Sequence, residues 1–369
     1  MKLAYITMVR LPTEKAHGLQ IFENCFYLSR HFDQLTLYVT STQTKDKETI
    51  EKYYGKEICF NIKRIYDFLF LNRLGSVGFL VRSLLFSLLS LHRAKKDGYT
   101  VIYTRDSLVS VFSHFFGLDC IYEIHNINHG FIERKAIKMA SKIVTISDAL
   151  SNEVYKIDKD KKVLVARDGV DISRFTKKIN VLNSVTLPTG INIMYVGHLY
   201  KWKGAHILAQ VARLLPEYNF VFIGGTKDDI SDFSMKYASP NIFMIGHVSI
   251  DLVPIYESKA DVLILPNSGI EDISRYFTSP LKLFEYMTTG KPIIASDLPS
   301  IREIVNDDLV TFFEADNIDD LRDKISNTIN DYENATKMAL KCRLAVEQYD
   351  WSNRCLNIAR FIEGDRLIR

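Results

Sequence analysis

Short apolar runs rich in β-branched residues alternate along the chain with longer segments of helical periodicity. The runs are apolar at nearly every position, which is typical of parallel strands covered by helices on both faces. The runs predicted as strands are Leu3–Thr7, Leu35–Val39, Val101–Thr104, Ile121–Ile124, Ile143–Ile146, Val163–Ala166, Ile193–Val196, Phe220–Ile223, Ile242–Ile245, Val262–Leu265 and Pro292–Ala295. Because strand–helix alternation is built up twice, the pattern predicts an α/β protein with two Rossmann-like, doubly wound domains.

The stretch with the weakest pattern is Asn180–Gly190, which is rich in Asn, Ser, Pro and Gly. Such a composition is typical of a linker. The chain has 369 residues, more than the ~250–300 at which a single core usually stops growing. We therefore predict a first domain over residues 1–180 and a second over 181–345, followed by a C-terminal helical segment over 346–369.

Two helical segments are informative. In Gly204–Leu215 the apolar residues recur at 3.6-residue spacing, and Pro216 follows as a stop. Phe68–Leu91 is strongly apolar but is interrupted by Arg73 and Arg82, which argues against a membrane span. We favour a helix with one broad buried face, while an interfacial helix whose arginines meet lipid headgroups is the alternative.

The cysteines and the N-terminus point to a reducing compartment. No two of the five cysteines are spaced as a C-x-x-C pair, which predicts free thiols and a cytoplasmic protein. The segment M-K-L-A-Y-I-T is expected to be a strand rather than a signal peptide.

Charge is unevenly distributed along the chain. Residues 1–180 hold 28 Lys and Arg against 19 Asp and Glu, whereas residues 181–369 hold 19 against 25. A basic first half suggests an anionic partner such as the inner face of a membrane or a phosphorylated acceptor, although two ordinary solvated surfaces could differ by chance. No basic–aromatic motif indicates a nucleic-acid partner.

The segment Thr278–Pro292 has the signals of a short helix. Ser279 is a good N-cap, Pro280 suits the first helical position, and Gly290 is a good C-terminal stop. The N-terminus of such a helix presents unpaired N–H groups and a partial positive charge, so it is a candidate anion site.

Two charged side chains extend this candidate site. Lys282 lies in the first turn of the predicted helix, and Glu285 follows three residues later on nearly the same face. A carboxylate there can accept two hydrogen bonds from a vicinal diol such as a ribose. Diphosphate at the helix tip and ribose on Glu285 would match a nucleotide-sugar, although a capped surface helix would give the same local pattern.

A second cluster lies between a predicted strand and a helix, over Val196–Gly204. Gly197 permits a tight turn in which backbone can approach a ligand, and Lys201 and Lys203 come just before the helix. Ligands of doubly wound sheets bind outside the carboxyl ends of the strands, where both clusters are predicted to lie. Two such cationic loops could hold a pyrophosphate without a metal ion.

These motifs carry a family resemblance. The specific stretches are Y-V-G-H-L-Y-K-W-K-G (195–204), F-I-G-G (222–225), I-G-H-V (245–248), A-D-V-L-I-L-P-N (260–267) and S-P-L-K-L-F-E-Y-M-T-T-G-K-P-I-I-A-S-D (279–297). In order and spacing the chain resembles glycosyltransferase family 4, whose members have the GT-B fold. The resemblance implies two Rossmann-like domains that face a central cleft, with a last helix, starting near D-W-S (350–352), that crosses back to the first domain.

The resemblance also implies roles for residues of the second domain. Lys203 would bind the donor diphosphate, and Glu285 would bind the ribose. The backbone of Val248 would meet the base. The segment implied to contact the distal phosphate and the sugar consists of Thr278, Ser279, Pro280, Leu281 and Lys282.

In the first domain the resemblance implies two further site residues. His125, which follows the predicted strand Ile121–Ile124, would face the donor sugar. Gly18, at the start of a helix, would lie close to the reacting phosphate. Lys203, Glu285 and His125 are accordingly the residues expected to carry catalysis.

The sequence departs from the family pattern at two positions. His198 stands where a basic residue, often Arg, is usual, and Lys201 or Lys282 would replace it. Phe277 stands where a second Glu is usual, eight positions before Glu285. We hypothesise that a longer loop, Asp272 to Phe277, reshapes the sugar pocket and that Glu271 or Asp272 contacts sugar hydroxyls.

The reaction implied is transfer of a hexosyl or related sugar, with retention of configuration, from a nucleoside-diphosphate sugar to a saccharide or lipid-linked acceptor in bacterial surface polysaccharide or glycan synthesis. The departing phosphate would take the acceptor proton. No cofactor or metal is expected, because the only D-x-D motif, Asp158–Asp160, lies in a charged run typical of a solvated turn. The alternatives are a nucleotide-sugar 2-epimerase of the same fold and an inactive donor-binding partner protein.

Overall fold

The computed structural model of the protein describes residues 1–176 and 185–364. The chain forms two compact units, Met1–Asp168 with the segment that begins at Trp351, and Gly169–Asp350. The first unit ends at Asp168, so residues 169–176 belong to the second unit and not to the predicted first domain over 1–180, and residues 346–350 likewise belong to the second unit and not to the C-terminal segment. The first part of the predicted linker lies outside the described residues. The C-terminal segment belongs to the first unit, as expected for a last helix that returns to the first domain.

The first unit is built on a parallel sheet of seven strands within the described residues. The strands are β1 (Lys2–Ile6), β2 (Gln34–Thr40), β3 (Asn61–Ile65), β4 (Val101–Thr104), β5 (Asp119–Ile124), β6 (Lys142–Thr145) and β7 (Val163–Val165). Their spatial order is β3-β2-β1-β4-β5-β6-β7, so the direction of winding reverses between β1 and β4. In doubly wound sheets, ligands bind outside the carboxyl ends of strands at such a switch point.

Helices connect these strands, as parallel pairing requires. They are α1 (Ala16–Leu28), α2 (Lys47–Tyr54), α3 (Gly75–Lys96), preceded by a 3₁₀ turn (Leu69–Leu74), α4 (Ser107–Phe115), α5 (Phe131–Met139) and α6 (Asp148–Ile157). The last helix of the chain, α15 (Trp351–Glu363), packs on α1. It begins at the predicted D-W-S segment, and it buries Trp351, Cys355 and Ile358.

The second unit has a parallel sheet of six strands in its described part. The strands are β8 (Asn192–Val196), β9 (Asn219–Ile223), β10 (Ile242–Gly246), β11 (Val262–Leu265), β12 (Ile293–Ser296) and β13 (Thr311–Phe313). Their order is β10-β9-β8-β11-β12-β13, and the winding reverses between β8 and β11. The carboxyl ends of β8 and β11 are therefore the expected ligand position of this unit.

The helices of the second unit lie between and after its strands. They are α7 (Ile172–Thr176), α8 (Ala205–Ala212), α9 (Lys227–Tyr237), α10 (Val253–Lys259), α11 (Leu281–Thr289), α12 (Pro299–Arg302), α13 (Ile318–Asn330) and α14 (Tyr332–Ala345), with 3₁₀ turns at Lys201–Lys203 and Val346–Tyr349 and a π turn at Ile273–Phe277. The predicted helix over 204–215 is α8, which Gly204 precedes with a left-handed φ of +74°. The prediction of two Rossmann-like α/β domains is confirmed.

Each predicted strand is present with small shifts at its ends, whereas β3 and β13 were not predicted. β3 is an edge strand of sequence N-I-K-R-I, and its polar positions conceal the apolar run. β13 is only three residues long and is an edge strand of the second sheet, where it pairs with β12. Edge strands need not be buried on both faces, so a search for continuous apolar runs misses them.

The favoured prediction for Phe68–Leu91, a helix with one broad buried face, is wrong for its first half. From Leu69 to Val81 most side chains are exposed, with Leu74 at 67%, Val77 at 69% and Phe79 at 53% exposure. The 28 residues Leu69–Lys96 are long and apolar enough to cross a membrane by length and composition. Only the later part of α3, around Phe86 and Leu91, contributes to the core of the first unit.

Candidate functional site

The loops that follow β8 and β11 are held together at the carboxyl ends of these strands. The backbone N–H of Ser268 donates to the carbonyl oxygen of Trp202 at 2.9 Å. A Cβ atom at Gly204 would lie 1.6 Å from the carbonyl oxygen of Pro266, so only glycine fits there. The 3₁₀ turn Lys201–Lys203 is thus fixed against the β11 loop, as the two-loop prediction requires.

Lys203 is a half-buried cation without an ion-pair partner among the described residues. Its Nζ atom lies 4.1 Å from the ring centroid of Trp202, a cation–π contact that orients the side chain. Burial and the nearby charge of Lys282 lower the pKa of Lys203 to about 8. An ammonium group in this position is stabilised by any anion that binds beside it. Lys201, at the other end of the turn, is exposed.

Helix α11 begins one residue later than predicted. Pro280 is its N-cap, with φ −74° and ψ 110°, and Leu281 is the first helical residue. The prediction of Ser279 as N-cap and Pro280 as first helical residue is therefore wrong by one position, because Pro280 keeps an extended ψ. Thr278 is likewise extended, and Ser279 is buried. Gly290 ends the helix in the left-handed conformation, as predicted.

Lys282 and Glu285 form the predicted pair on one face of α11. The Nζ atom of Lys282 donates a short hydrogen bond to Oε2 of Glu285. A second carboxylate, Glu257 of α10, lies 3.8 Å from the same Nζ atom through Oε1. Although burial alone would lower the pKa of Lys282, Glu285 and Glu257 raise it, so Lys282 remains an ammonium group. Nothing in the sequence pattern distinguishes Glu257, which appears as an ordinary polar residue of a short helix.

Three other predicted donor-site residues follow strands of the same sheet. Gly197, after β8, donates its N–H to the carbonyl oxygen of Ile223 at 2.8 Å. The ring of His198 stacks on Tyr200 with centroids 4.9 Å apart. Val248 follows β10 and packs against the core of the second unit. These residues follow the carboxyl ends of β8 and β10, the two neighbours of β9, on the edge of the sheet where the donor site is predicted.

Glu271 lies on an exposed part of the loop after β11. Its carbonyl oxygen accepts from the N–H groups of Ser274 and Arg275, each at 3.0 Å, and this begins the π turn Ile273–Phe277. The described residues include no contact that joins the Glu271 side chain to Lys282 or Glu285. The hypothesis that Glu271 or Asp272 contacts sugar hydroxyls therefore stays a prediction.

In the first unit, His125 follows β5 and is held by Glu123. Its Nε2 atom lies 2.8 Å from Oε1 of Glu123, which also accepts from Arg354 of α15 at 2.6 Å. Because a carboxylate only accepts, Nε2 carries a proton and Nδ1 remains for another partner. Burial and the charge of Arg105 lower the pKa of His125, while Glu123 opposes this effect.

Gly18 lies in the first turn of α1, where the backbone passes close to Thr13. A Cβ atom at Gly18 would lie 2.2 Å from Cγ2 of Thr13 and 2.8 Å from the hydroxyl of Tyr54. The glycine is therefore required by packing between the loop after β1 and the start of α1. This local requirement is separate from the phosphate contact that the resemblance implies, which stays a prediction.

Polar residues that sequence reasoning missed surround His125. Gln20 of α1 accepts from Arg105 at 3.0 Å and donates to Asp168 at 2.5 Å. Burial raises the pKa of the Asp168 carboxyl, whereas the positive charges of His125 and Arg354 act to lower it. These residues come from four distant segments, so sequence spacing could not identify the cluster.

A cavity of about 660 Å³ opens beside this cluster, and all of its lining residues belong to the first unit. One side is polar and includes Arg105, His125 and Glu133, whereas Phe79 and Leu80 of α3 contribute apolar surface. Burial raises the pKa of Glu133 to about 7, against a hydrogen bond from the hydroxyl of Tyr122. The cavity therefore offers a mixed polar and apolar environment to a ligand.

The D-x-D motif forms a turn. Oδ1 of Asp158 accepts from the N–H of Asp160 at 3.3 Å, and its Oδ2 lies 3.0 Å from Nζ of Lys161. Asp158 is also the C-cap of α6. Both carboxylates lie between the end of α6 and the start of β7, at the amino-terminal edge of the parallel sheet, which fits the predicted role as a turn.

Comparison with known proteins adds to this geometry. Residues 183–343 match the family model of glycosyl transferases group 1. The chain is 25% identical over 226 residues to the putative teichuronic acid biosynthesis glycosyltransferase TuaH of Bacillus subtilis strain 168, covering 60% of this chain and 56% of that protein. It is 30% identical over 172 residues to an uncharacterized 41.2 kDa protein in the cps region of Klebsiella pneumoniae, covering 45% and 44%. The chain thus spans about half the length of the curated relatives it matches.

Solved structures share the whole fold. HepE of Anabaena, crystallised in complex with UDP, superposes with a TM-score of 0.76 at 15% identity, covering 98% of this chain and 100% of that chain. Sucrose-phosphate synthase of Thermosynechococcus elongatus superposes with a TM-score of 0.78 at 15% identity, covering 98% of both chains. The comparisons support the prediction of a glycosyltransferase. The chain has the GT-B fold, and the stretch that matches the group 1 glycosyl transferase model, residues 183–343, lies in its second unit.

Proposed function

We propose that the protein is a family 4 glycosyltransferase that moves a sugar, with retention of configuration, from a nucleoside-diphosphate sugar to an acceptor in bacterial surface polysaccharide synthesis. The observation that carries the proposal is Lys203, a half-buried ammonium group with a pKa of about 8 at the carboxyl ends of β8 and β11. The group 1 domain match supports it, as do the names of TuaH and the cps-region relative.

The donor diphosphate binds between Lys203 and the start of α11, with Lys282 close enough to lower the pKa of Lys203. Glu285, one turn into the helix, accepts hydroxyls of the ribose. The complexes of HepE with UDP and with UDP-glucose support a nucleotide-sugar donor. Two ammonium groups can neutralise the diphosphate that departs, and for this reason we propose that transfer requires no metal ion.

Retention follows if the acceptor attacks from the face that the diphosphate leaves. The bond between C1 and the phosphate oxygen breaks, and the acceptor oxygen bonds to C1. The acceptor proton then passes to the departing phosphate. For the sugar-facing role that the family resemblance implies for His125, Nδ1 is the atom that can accept a hydroxyl, because Glu123 holds Nε2 while burial and Arg105 lower the pKa of the imidazole.

The acceptor is lipid-linked in our proposal. Phe79 and Leu80 line the cavity beside His125, and they also belong to the exposed apolar segment Leu69–Val81. Exposed apolar surface of this extent commonly marks a membrane or ligand interface. A hydrocarbon chain can therefore follow the segment while its polar head enters the cavity toward Arg105.

The same segment is proposed to rest on the inner face of the membrane. Arg73 is exposed on this segment and can contact lipid headgroups. Arg82 donates two hydrogen bonds to Asp67, so it is not available for the headgroup contact that the sequence suggests. The free cysteines, four of them buried and Cys59 exposed, support a reducing compartment.

Thermal-shift screening against UDP-, GDP-, ADP- and dTDP-sugars tests the donor site. A matching donor at a hundredfold excess over Kd stabilises a protein by about 2.7 kcal/mol, and Lys203→Ala should abolish that shift. Product analysis with and without lipid-linked acceptors then identifies the reaction. Conversion of the donor sugar without acceptor would instead indicate a 2-epimerase, and the absence of a shift with every donor would contradict the proposal.

A further inference from the structure

Glu257 is a buried acidic residue that the proposed reaction does not yet use. Burial raises the pKa of its carboxyl group, and the positive charge of Lys282 opposes that rise. Glu257 lies on α10, its side chain has 0% exposure, and neither of its oxygens has a hydrogen-bond partner among the described residues. Burial without hydrogen bonds is expensive for a carboxylate, and such groups in native proteins usually have a specific reason. The Nζ atom of Lys282 lies 3.8 Å from Oε1 of Glu257 and is a cation close enough to form an ion pair with it.

Lys282 therefore lies between two carboxylates of different character. Glu285 has 15% side-chain exposure and holds the short hydrogen bond, whereas Glu257 is enclosed and lies slightly too far away for one. Helix α10 packs against both α11 and β8, so Glu257 has a rigid support. The partly exposed partner can turn to a ligand, but the enclosed partner cannot.

Glu285 has enough acceptor sites for Lys282 and a ribose diol together, but a carboxylate that turns both oxygens toward a diol competes with the orientation that holds Lys282 on Oε2. If Glu285 accepts two ribose hydroxyls, Lys282 loses the shorter of its two ionic contacts. The half-buried ammonium group of Lys282 would then face the positive charge of Lys203 with less negative charge nearby to offset the repulsion. A second carboxylate within reach removes that difficulty.

We propose that Glu257 is a positioning residue that takes over the Lys282 ammonium group when Glu285 accepts the hydroxyls of the donor ribose. This role rests on the proposed function, because it requires a nucleotide at α11. Glu257 does not touch the donor. It acts by making Glu285 available and by keeping Lys282 charged beside the diphosphate.

The proposal is tested by discrimination between ribose and 2′-deoxyribose. The measured quantity is the ratio of the calorimetric Kd of 2′-deoxy-UDP to that of UDP, which depends on Glu285. If another nucleoside diphosphate binds more tightly, it and its 2′-deoxy form are used instead. Glu257→Gln, which leaves Lys282 on Glu285, should lower that ratio at least about threefold. Glu217→Gln, an exposed change in the same unit, should leave it unchanged. Glu257→Asp, which keeps the charge but shortens its reach, should give a smaller decrease and serves if Glu257→Gln does not fold.

Coupling to Lys282 separates this role from a merely structural one. In a Lys282→Met background, Glu257→Gln should no longer change the ratio, and it should raise the melting temperature by removing an uncompensated buried carboxylate. An unchanged ratio for Glu257→Gln, or an equal effect in both backgrounds, would overturn the role of Glu257 while the donor site stands. No binding of any nucleoside diphosphate by the unaltered protein would overturn the proposed function and this role together.

Discussion

Oε1 of Glu123 lies 2.6 Å from a guanidinium nitrogen of Arg354, although the two residues are 231 positions apart in the chain. The same oxygen holds Nε2 of His125. Both members of the Glu123–Arg354 pair are almost completely buried, with 0% and 3% side-chain exposure. The last helix is therefore part of the support of His125, since Arg354 fixes the carboxylate that orients the imidazole.

Arg354→Met should destabilise the first unit and reduce turnover. Removing one partner of a buried ion pair leaves the other uncompensated, which typically costs about 3–5 kcal/mol of unfolding free energy. Denaturant unfolding at neutral pH measures this loss, and Arg360→Met, an exposed change on the same helix, is the control. Adding Glu123→Gln to Arg354→Met should restore part of the stability. A loss similar to that of Arg360→Met would show that the buried pair contributes little.

The sequence predicts some residues of the two candidate clusters and not others. Lys203, Lys282 and Glu285 were identifiable because each lies within a few residues of a strand end or a helix start. Glu257 and Arg354 were not, since their significance arises from the packing of α10 on α11 and of α15 on α1. The exposure of Leu69–Val81 could not be predicted either, because apolar composition alone does not distinguish a helix face covered by protein from one that contacts lipid or a ligand.

Lys203→Met should stabilise the protein and strongly reduce its turnover. Burial and Lys282 disfavour the charged form of Lys203 in the folded state, and methionine has nearly the same shape without the charge. Turnover should fall by about two decades or more, since one preorganised contact to a departing group contributes roughly 3 kcal/mol. Melting temperature and turnover are measured together, with exposed Lys236→Met as control. A change in turnover below about threefold would refute the role of Lys203.

The affinity for nucleoside diphosphates should fall as pH rises above about 8. In the free protein Lys203 has a pKa of about 8, and a bound diphosphate raises that pKa by favouring the ammonium form. The favourable interaction is therefore complete below the free-protein pKa of about 8, weakens as pH rises above that value, and is lost as pH rises through the higher pKa of the bound state. Lys282 remains charged over this range because Glu285 and Glu257 raise its pKa. Calorimetry between pH 7 and pH 9.5 measures the effect, which Lys203→Arg should remove; an equally steep loss in Lys203→Arg would assign it to another group.

Gly204→Ala should disrupt the donor loops more than another glycine substitution with the same backbone angle. Gly204 has φ +74° and no room for Cβ beside Pro266, whereas Gly98 has φ +82° and no atom within 4 Å of a Cβ. A left-handed alanine costs roughly 1–2 kcal/mol, which is the full loss expected for Gly98→Ala. Gly204→Ala should lose about 1–3 kcal/mol more through overpacking, together with nucleotide binding. Equal losses in unfolding free energy would show that the loops adapt without strain.

The exposed segment Leu69–Val81 should bind vesicles that contain anionic phospholipid. Val77 and Phe79 are exposed apolar residues of α3, so Val77→Asp and Phe79→Asp should abolish co-sedimentation with such vesicles without lowering the melting temperature. Met235→Asp is the matched control, because Met235 is 74% exposed in the second unit. Vesicles of neutral lipid should bind less, since the basic first half of the chain adds an electrostatic attraction of about 1 kcal/mol per cation near the surface. If Val77→Asp and Met235→Asp sediment alike, the segment does not rest on a membrane, and its apolar side chains would instead serve the acceptor that enters the cavity beside His125.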